Sequence, residues 1–285
     1  MTVLFGRRVR VQVHEMLITD LDMAFEVVRS LSAKTPNSAE LRIWNLNPDH
    51  RKQLQEYDRV YVSIEAGYAG DSKSATPATS VIFSGDLRDV VSSREGPDWI
   101  TTITSDSGRR ARKKRIAKSF PPGVDVADVL ESAAKAMGIP LGNTAAKTVL
   151  AKIRGTQAAK FFNGYAMAGA VSDEMERLAR STGLEWSIQD GTLQFLDSGT
   201  ALQEQGIKLT PETGLIGSPE PGNKGVIEAR CLMIPDVYPG RRVQLESQHV
   251  RGVYRIETTK HRGSTAERDW YIDLQLGDGK PKATK

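Results

Sequence analysis

One cysteine, Cys231, stands among 285 residues, which excludes an intramolecular disulfide and leaves any cysteine-based zinc site short of ligands. Histidine is nearly as scarce: His14, His50, His249 and His261 share no His-x-x-x-His spacing, and no metal site is expected. No apolar run approaches about 18 residues, and Met1 to Phe5 runs straight into Arg7-Arg8, so neither a spanning helix nor a targeting segment is expected. A soluble chain that starts in a cytoplasm follows. A Gly-x-x-x-x-Gly-Lys phosphate cradle and a Gly-x-Ser-x-Gly elbow are both missing. Gly67-Tyr68-Ala69-Gly70 has no Lys and no helix behind it, and reads as loop. A large charge imbalance is missing too: 39 basic residues against 35 acidic leave +4, which does not by itself call for nucleic acid.

What is present is a phrase written twice. Gly85-Asp86-Leu87-Arg88-Asp89-Val90 leads through a polar turn at Gly96-Pro97-Asp98 into Trp99-Ile100-Thr101-Thr102-Ile103. Near the other end, Gly252-Val253-Tyr254-Arg255-Ile256-Glu257 leads through Arg262-Gly263-Ser264 into Asp269-Trp270-Tyr271-Ile272-Asp273-Leu274. In each copy a Gly opens an alternating strand and an Asp-Trp pair starts the return. Each is preceded by another alternating strand, Val60–Ile64 and Val243–Glu246. Gly85, Trp99, Gly252 and Trp270 define the repeat, and two similar β-modules suggest a part built for symmetric assembly.

The remainder divides by pattern. Residues 1–108 read as mainly β, with Val9, Val11 and Val13, then Ala39, Leu41 and Ile43, alternating with polar neighbours. One helix interrupts them, with Asn47 as N-cap and Pro48 at its first position, ending near Leu54 or Tyr57. Gly67 to Ser80 is small and polar and reads as a mobile excursion. Residues 109–200 read as α+β. Val126, Val129, Leu130, Ala133 and Met137 mark a helix capped by Asp125 and stopped by Gly138 and Pro140; Val171, Met175 and Leu178 mark another, with Ser172 as cap. Asp190-Gly191 between Glu185–Ile188 and Thr192–Phe195 signals a type I′ hairpin. Residues 201–276 return to β, with Pro219, Pro221, Gly222 and Gly225 punctuating their start, and 277–285 read as a flexible tail. The fold class expected is α+β, mainly β. Cys231, in a strand-like stretch, reads as a small core residue.

Seven cations stand together at Arg109, Arg110, Arg112, Lys113, Lys114, Arg115 and Lys118. Such a run can bind phosphates, bridge two segments or face acidic groups of a neighbouring subunit, and without aromatic partners before Phe120 the connector or interface reading is preferred. Carboxylates at Asp86, Asp89, Glu174 and Glu176 are the candidates for a hydrolytic alternative; solvated strand and helix faces are their plainer use. Trp99 and Trp270 are read as core residues.

Three phrases, Ser38-Ala39-Glu40-Leu41-Arg42-Ile43-Trp44-Asn45-Leu46, Ile64-Glu65-Ala66-Gly67-Tyr68 and Ile82-Phe83-Ser84-Gly85-Asp86-Leu87, resemble the N-terminal part of baseplate hub proteins of long-tailed bacteriophages. The Val126–Leu130 helix with Gly138-Ile139-Pro140, the Gly183–Trp186 hairpin, Gly214–Pro219 and the closing Gly240 to Trp270 stretch also fit, so the resemblance covers about residues 20 to 276. It implies two tail-tube-like β-barrel domains (1–108 and 201–276) flanking an α+β domain (109–200), assembled as a homotrimer. The implied role is structural: a hub in the virion's tail baseplate, assembled in the host cytoplasm, adapting a sixfold tail tube to a threefold spike. Its implied partners are its own copies, the tail tube or distal tail protein, the spike and the tape-measure protein. DNA is a partner only in transit, and no stable membrane insertion is implied. No catalytic, cofactor-binding or metal residues are assigned. The candidate assembly interface comprises Gly67, Tyr68, Gly70, Asp71 and Lys73, with Arg109, Arg110, Arg112, Lys113, Lys114 and Arg115. The hub of a contractile injection device or bacteriocin, a peptidoglycan-processing tail component and a nucleic-acid-binding module are the alternatives.

Overall fold

The computed structural model describes residues 6–70, 78–142, 144–154, 156, 160–202, 205–222 and 225–277. The chain divides into a β unit (Met1–Ser30, Asn37–Ser107, Glu204–Asp278) and a helical unit (Leu31–Pro36, Gly108–Gln203, Gly279–Lys285).

The first half of the β unit contains β1 (Arg7–Val13), β2 (Met16–Ile18), β3 (Met23–Ser30), β4 (Ser38–Trp44), helix α1 (Pro48–Glu56), β5 (Tyr61–Tyr68), β6 (Ala78–Glu95) and β7 (Asp98–Asp106). Strict alternation in β3 and β4 buries Met23, Phe25 and Val27 against Ala39, Leu41 and Ile43, the burial expected of a period-2 pattern with one covered face. Helix α1 begins where Asn47 Oδ1 accepts the Asp49 N–H at 2.8 Å, with Pro48 at N1.

The helical unit contains α2 (Arg109–Arg112), β8 (Arg115–Phe120), β9 (Val124–Asp125), α3 (Val126–Met137), α4 (Thr144–Ile153), β10 (Lys160–Phe161), β11 (Tyr165–Ala170), α5 (Val171–Ser181), β12 (Leu184–Gln189) and β13 (Thr192–Asp197). Asp125 caps α3 through the Ala127 N–H, and Gly138 ends it in the left-handed region at φ 69°. The expected cap of the later helix is corrected. Ala170 holds the N-cap position of α5, and Ser172 lies inside the helix, where its hydroxyl donates to the Arg112 carbonyl at 3.1 Å. Asp190 and Gly191 both have positive φ, 48° and 74°, as a type I′ turn requires. Val129, Leu130, Met175, Leu178, Trp186 and Phe195 form a core separate from that of the β unit.

The chain then returns to the β unit with β14 (Ile207–Leu209), a 3₁₀ turn at Pro211–Thr213, β15 (Leu215–Pro221), β16 (Ile227–Leu232), β17 (Arg242–Glu246), β18 (Arg251–Ser264) and β19 (Trp270–Gly277). Pro219 and Pro221 therefore lie within a strand and do not merely punctuate its start. The main path of the sheet is β15-β16-β19-β18-β3-β4-β7-β6-β5-β1-β2, with β17 and then β14 branching from β18. In place of two closed barrels, the described residues form one open ladder. Antiparallel pairing of β18 with β3 joins its two halves.

Each half uses five successive strands in one spatial order: β3-β4-β7-β6-β5 and β15-β16-β19-β18-β17. The equivalence holds rung by rung. Asp86↔Asp106 through Arg94↔Trp99 matches Arg255↔Gly277 through Gly263↔Trp270, with one bulge in each of these two ladders, at Arg88 and at Glu257. Glu40 and Arg42 on β4 then fall on Glu228 and Arg230 of β16, and Val62 and Ile64 on Val243 and Leu245. Trp99 and Trp270 share a rung. Gly85 and Gly252 do not: Gly85 is equivalent to Tyr254 and Gly252 to Phe83, a slip of two residues that preserves the face. Nor does Gly85 open its strand, which starts at Ala78.

Candidate assembly interfaces

The two long strands differ in what covers their second edge. In β18, Thr258 to Ser264 lies between β19 and β3. In β6, pairing with β5 ends at Asp86, and Leu87 to Glu95 has β7 as its sole strand partner among the described residues. Val91, at the middle of this edge, is 54% exposed. The other terminal edge of the same series is the outer side of β15, where Ile216 is 38% exposed. Unpaired edges of this kind are templates for another strand unless something blocks them.

The seam between β18 and β3 shows how such an edge is filled. Phe25 and Tyr68 meet the Trp270 ring edge-on, at centroid distances of 5.8 and 6.2 Å, and the Arg7 guanidinium sits 5.4 Å from that ring. Gly263 makes this stack possible, because a Cβ there would come within 2.3 Å of the Phe25 ring. At the rim, Glu26 binds Lys260 at 2.7 Å and Arg262 at 2.9 Å. Burial pushes the Glu26 carboxyl up, but its hydrogen bond to Lys260 and the charges of Lys260 and Arg262 more than offset this and hold it below the ordinary value. His261 is enclosed in the seam, where burial first and the nearby Arg29 second push its imidazole down to about 3.

Of the residues expected in the first interface patch, Tyr68 is a core residue at the Trp270 stack, and Gly67 pairs with Arg8 and Thr79. Gly70 follows β5 at φ 80°, while Asp71 and Lys73 lie outside the described residues. Trp99 departs from the expected core placement. It is 39% exposed, with the Arg51 guanidinium 4.1 Å from its ring centroid and its backbone N–H donating to Asn45 Oδ1 at 3.0 Å.

The basic run is dispersed by the fold. Arg109, Arg110 and Arg112 form α2, and Arg109 and Arg110 are both engaged in further contacts. Arg112 turns inward, donating to the Ala33 carbonyl and lying 5.0 Å from the Trp186 ring centroid. Burial pushes its guanidinium below the ordinary value, against the opposing charge of Glu176. Lys114 Nζ donates to the Met137 carbonyl at 2.8 Å, a cation on the negative end of α3, and Arg115 enters β8 opposite Ala170. Lys113 lines an open cleft of about 950 Å³ with Lys34, Arg112, Arg177, Arg180 and Trp186. The run has two aromatic partners: Trp186, far away in sequence, for Arg112, and Phe120, two residues on, for Lys118, whose Nζ lies 4.9 Å from that ring centroid.

The carboxylates of the hydrolytic alternative are tied down. Glu174 accepts from the Tyr165 hydroxyl at 2.9 Å and pairs with Arg177; burial pushes it up, yet these bonds and the Ala168 N–H hold it below the ordinary value. That direction is opposite to the one a general acid requires. Glu176 accepts from the Trp186 indole at 3.0 Å and pairs with Arg180 at 3.0 Å. Asp86 and Asp89 lie on β6, where Asp89 Oδ1 accepts the Val90 N–H at 3.0 Å. Cys231 is fully buried, its thiol pushed up to about 12 by burial. Among the described residues no group of His, Cys, Asp and Glu could hold a metal ion, and no helix is long and apolar enough to cross a membrane.

The profile of a family described as baseplate hub gp41 matches residues 7–274. Three solved structures share the fold at low identity. The 43 kDa tail protein of prophage MuSo2 from Shewanella oneidensis aligns with TM-score 0.65 and 10% identity, over 96% of this chain and 99% of that one. The tail protein from Neisseria meningitidis MC58 aligns with TM-score 0.67 and 11% identity, over 96% and 98%. The E. coli c3393 protein, a type VI secretion component described as similar to the T4 bacteriophage tail proteins gp27 and gp5, aligns with TM-score 0.59 and 10% identity, over 96% and 79%. No curated protein matches in sequence.

Proposed function

The chain belongs to the baseplate hub gp41 family, a structural family of the phage tail, and from that premise we propose that it is a homotrimeric symmetry adaptor in the virion. One observation carries this reading. The strands β6-β7-β4-β3 and β18-β19-β16-β15 are two equivalent four-stranded modules joined head to tail through β3 and β18, with unlike edges at the two ends. Unlike ends pair with one another only by heterologous contacts, which close into a ring when the rotation between copies closes. Three copies present six modules, matching a sixfold tube on one side while remaining threefold for a spike on the other.

The expected partners are further copies of the chain, the tail tube or distal tail protein, the spike and the tape-measure protein, with DNA in transit. The protein catalyses no reaction in this reading, and Glu174 and Glu176 serve the packing of the helical unit. Its place is the tail baseplate, after assembly in the host cytoplasm. The three segments 1–108, 109–200 and 201–276 then act as two tube-like modules around a helical insertion.

Mass photometry of the purified chain, alone and with the cognate spike protein, tests the adaptor. A threefold species is expected in at least the second case. A chain that stays single in both would overturn the reading. Zymography on cell-wall substrate is expected to be blank, and clearing lost on Glu174→Gln would favour the hydrolytic alternative.

A further inference from the structure

The pairing of β18 with β3 shows rung by rung how two edges of this series meet. Backbone bonds set which residues face which neighbour: the Trp44 N–H donates to Asp22 O at 2.9 Å, and the Thr265 N–H to Met23 O at 2.9 Å. Even-numbered residues of β3 thus bond to β4, and odd-numbered ones to β18. Thr259, His261 and Gly263 face β3, and their equivalents on the uncovered edge of β6 are Val90, Ser92 and Arg94. The Val90 N–H is already bonded to Asp89 Oδ1, which leaves Ser92 and Arg94 to present donors.

The outer edge of β15 has the opposite character. Its equivalents follow from the pairing with β16, which places Glu220 on Glu26 and Pro221 on Val27. Pro221, in a position that turns outward, has no N–H to give. Leu215, equivalent to Met23, spends its N–H on the Thr210 carbonyl at 2.8 Å. Pro219 lies in the bulge between them and also lacks an N–H. At Leu215, Pro219 and Pro221 this edge therefore has no N–H to offer, while the Pro221 carbonyl stays an acceptor. Two β15 edges brought together would leave carbonyls facing carbonyls, so a twofold pairing of like edges gains no ladder there.

We infer that β15 of one copy docks on the Val90 to Arg94 edge of β6 in the next, in the register of β3 on β18, with Ser92 N–H donating to Pro221 C=O and Glu220 beside Ser93. The prolines make the seam one-way, so that like edges are refused and the unlike ends of successive copies meet. Val91 and Ile216, exposed in the single chain, become covered. This rests on the ring reading above and adds to it the strands, the register and the role of the prolines.

Cysteine cross-linking tests it. Glu26 and Arg262, whose equivalents are Glu220 and Ser93, form a non-hydrogen-bonded pair with touching side chains, the arrangement in which Cβ atoms are close enough for a disulfide. Ser93→Cys with Glu220→Cys, oxidised under the conditions that give the oligomer, should convert most chains into covalent trimers on denaturing gels. Each single variant should stay monomeric there, because Cys231 is buried. Native mass separates the two ways of failing. An intact oligomer that does not cross-link overturns the seam and leaves the adaptor, whereas a single copy with and without spike overturns both. Pro219→Val with Pro221→Val should at least double the fraction in species larger than the ring, and an unchanged distribution overturns the role given to the prolines.

Discussion

Two hairpin tips with the same register, β6/β7 and β18/β19, end on tryptophans with opposite surroundings. Trp270 is 5% exposed and ringed by Phe25, Tyr68 and Arg7, whereas Trp99 is 39% exposed under Arg51. The strand phrase is common to both, so it cannot be the source of the difference. The source is β3, which covers the second edge of β18 and has no counterpart on β6 among the described residues. The rungs record this: Gly263, His261 and Arg262 in the covered copy stand where Arg94, Ser92 and Ser93 stand in the open one.

Substitution at the tryptophans should separate the copies most. Trp270→Ala should cost about 3–5 kcal/mol of β-unit stability, as expected for a large buried aromatic, whereas Trp99→Ala should cost less than about 1 kcal/mol in the single chain. Equal losses in denaturant titrations would break the comparison. Next comes the glycine under the stack. Gly263→Ala should cost about 1–3 kcal/mol, because the added methyl meets the Phe25 ring, while Arg94→Ala at the equivalent rung should leave the midpoint unmoved.

The pH response should be a smaller effect. His261, with its folded pKa near 3, is neutral in the seam, but unfolded it takes a proton below about 6.5. Between those values the unfolded chain binds more protons, so the contribution of this residue to stability falls as pH drops from about 6.5 toward 3. Melting curves of His261→Phe should show a shallower acid decline than those of the wild type; parallel declines would remove His261 as a cause. The smallest effect expected is at the rim. Glu26→Gln should lose no more than about 1 kcal/mol, most of it already gone in high salt, since its partners Lys260 and Arg262 are partly solvated.

Much of the β unit is legible in the chain because alternation reports burial directly. Val9 to Val13 and Ala39 to Ile43 lie within the strands their pattern announces, Val60 to Ile64 starts one residue ahead of β5, and Asn47-Pro48 starts its helix. The repeat is legible at its tryptophans. Its glycines mislead, since any Gly two residues away on the same face satisfies the same pattern. A better guide lay in Glu40-Leu41-Arg42 and Glu228-Ala229-Arg230, whose matching Glu-x-Arg spacing gives the register of the second strand. The candidate interfaces were read less well: Tyr68 looked like part of a loop and is core, and the basic run looked continuous and is shared between a short helix, a helix C-terminus and the Trp186 ring.

The division has a physical basis. Caps, turns and strand faces depend on residues within a few positions of one another, so the amino-acid order by itself determined the α+β character, the two hairpins and their tryptophan rungs. Edge coverage depends on pairing across more than 200 residues, where β18 meets β3. Strand propensity is blind to which edge stays open, and that outcome was decided by tertiary structure alone. It buried one tryptophan, exposed the other, and placed the prolines of β15 on the outer edge of the series.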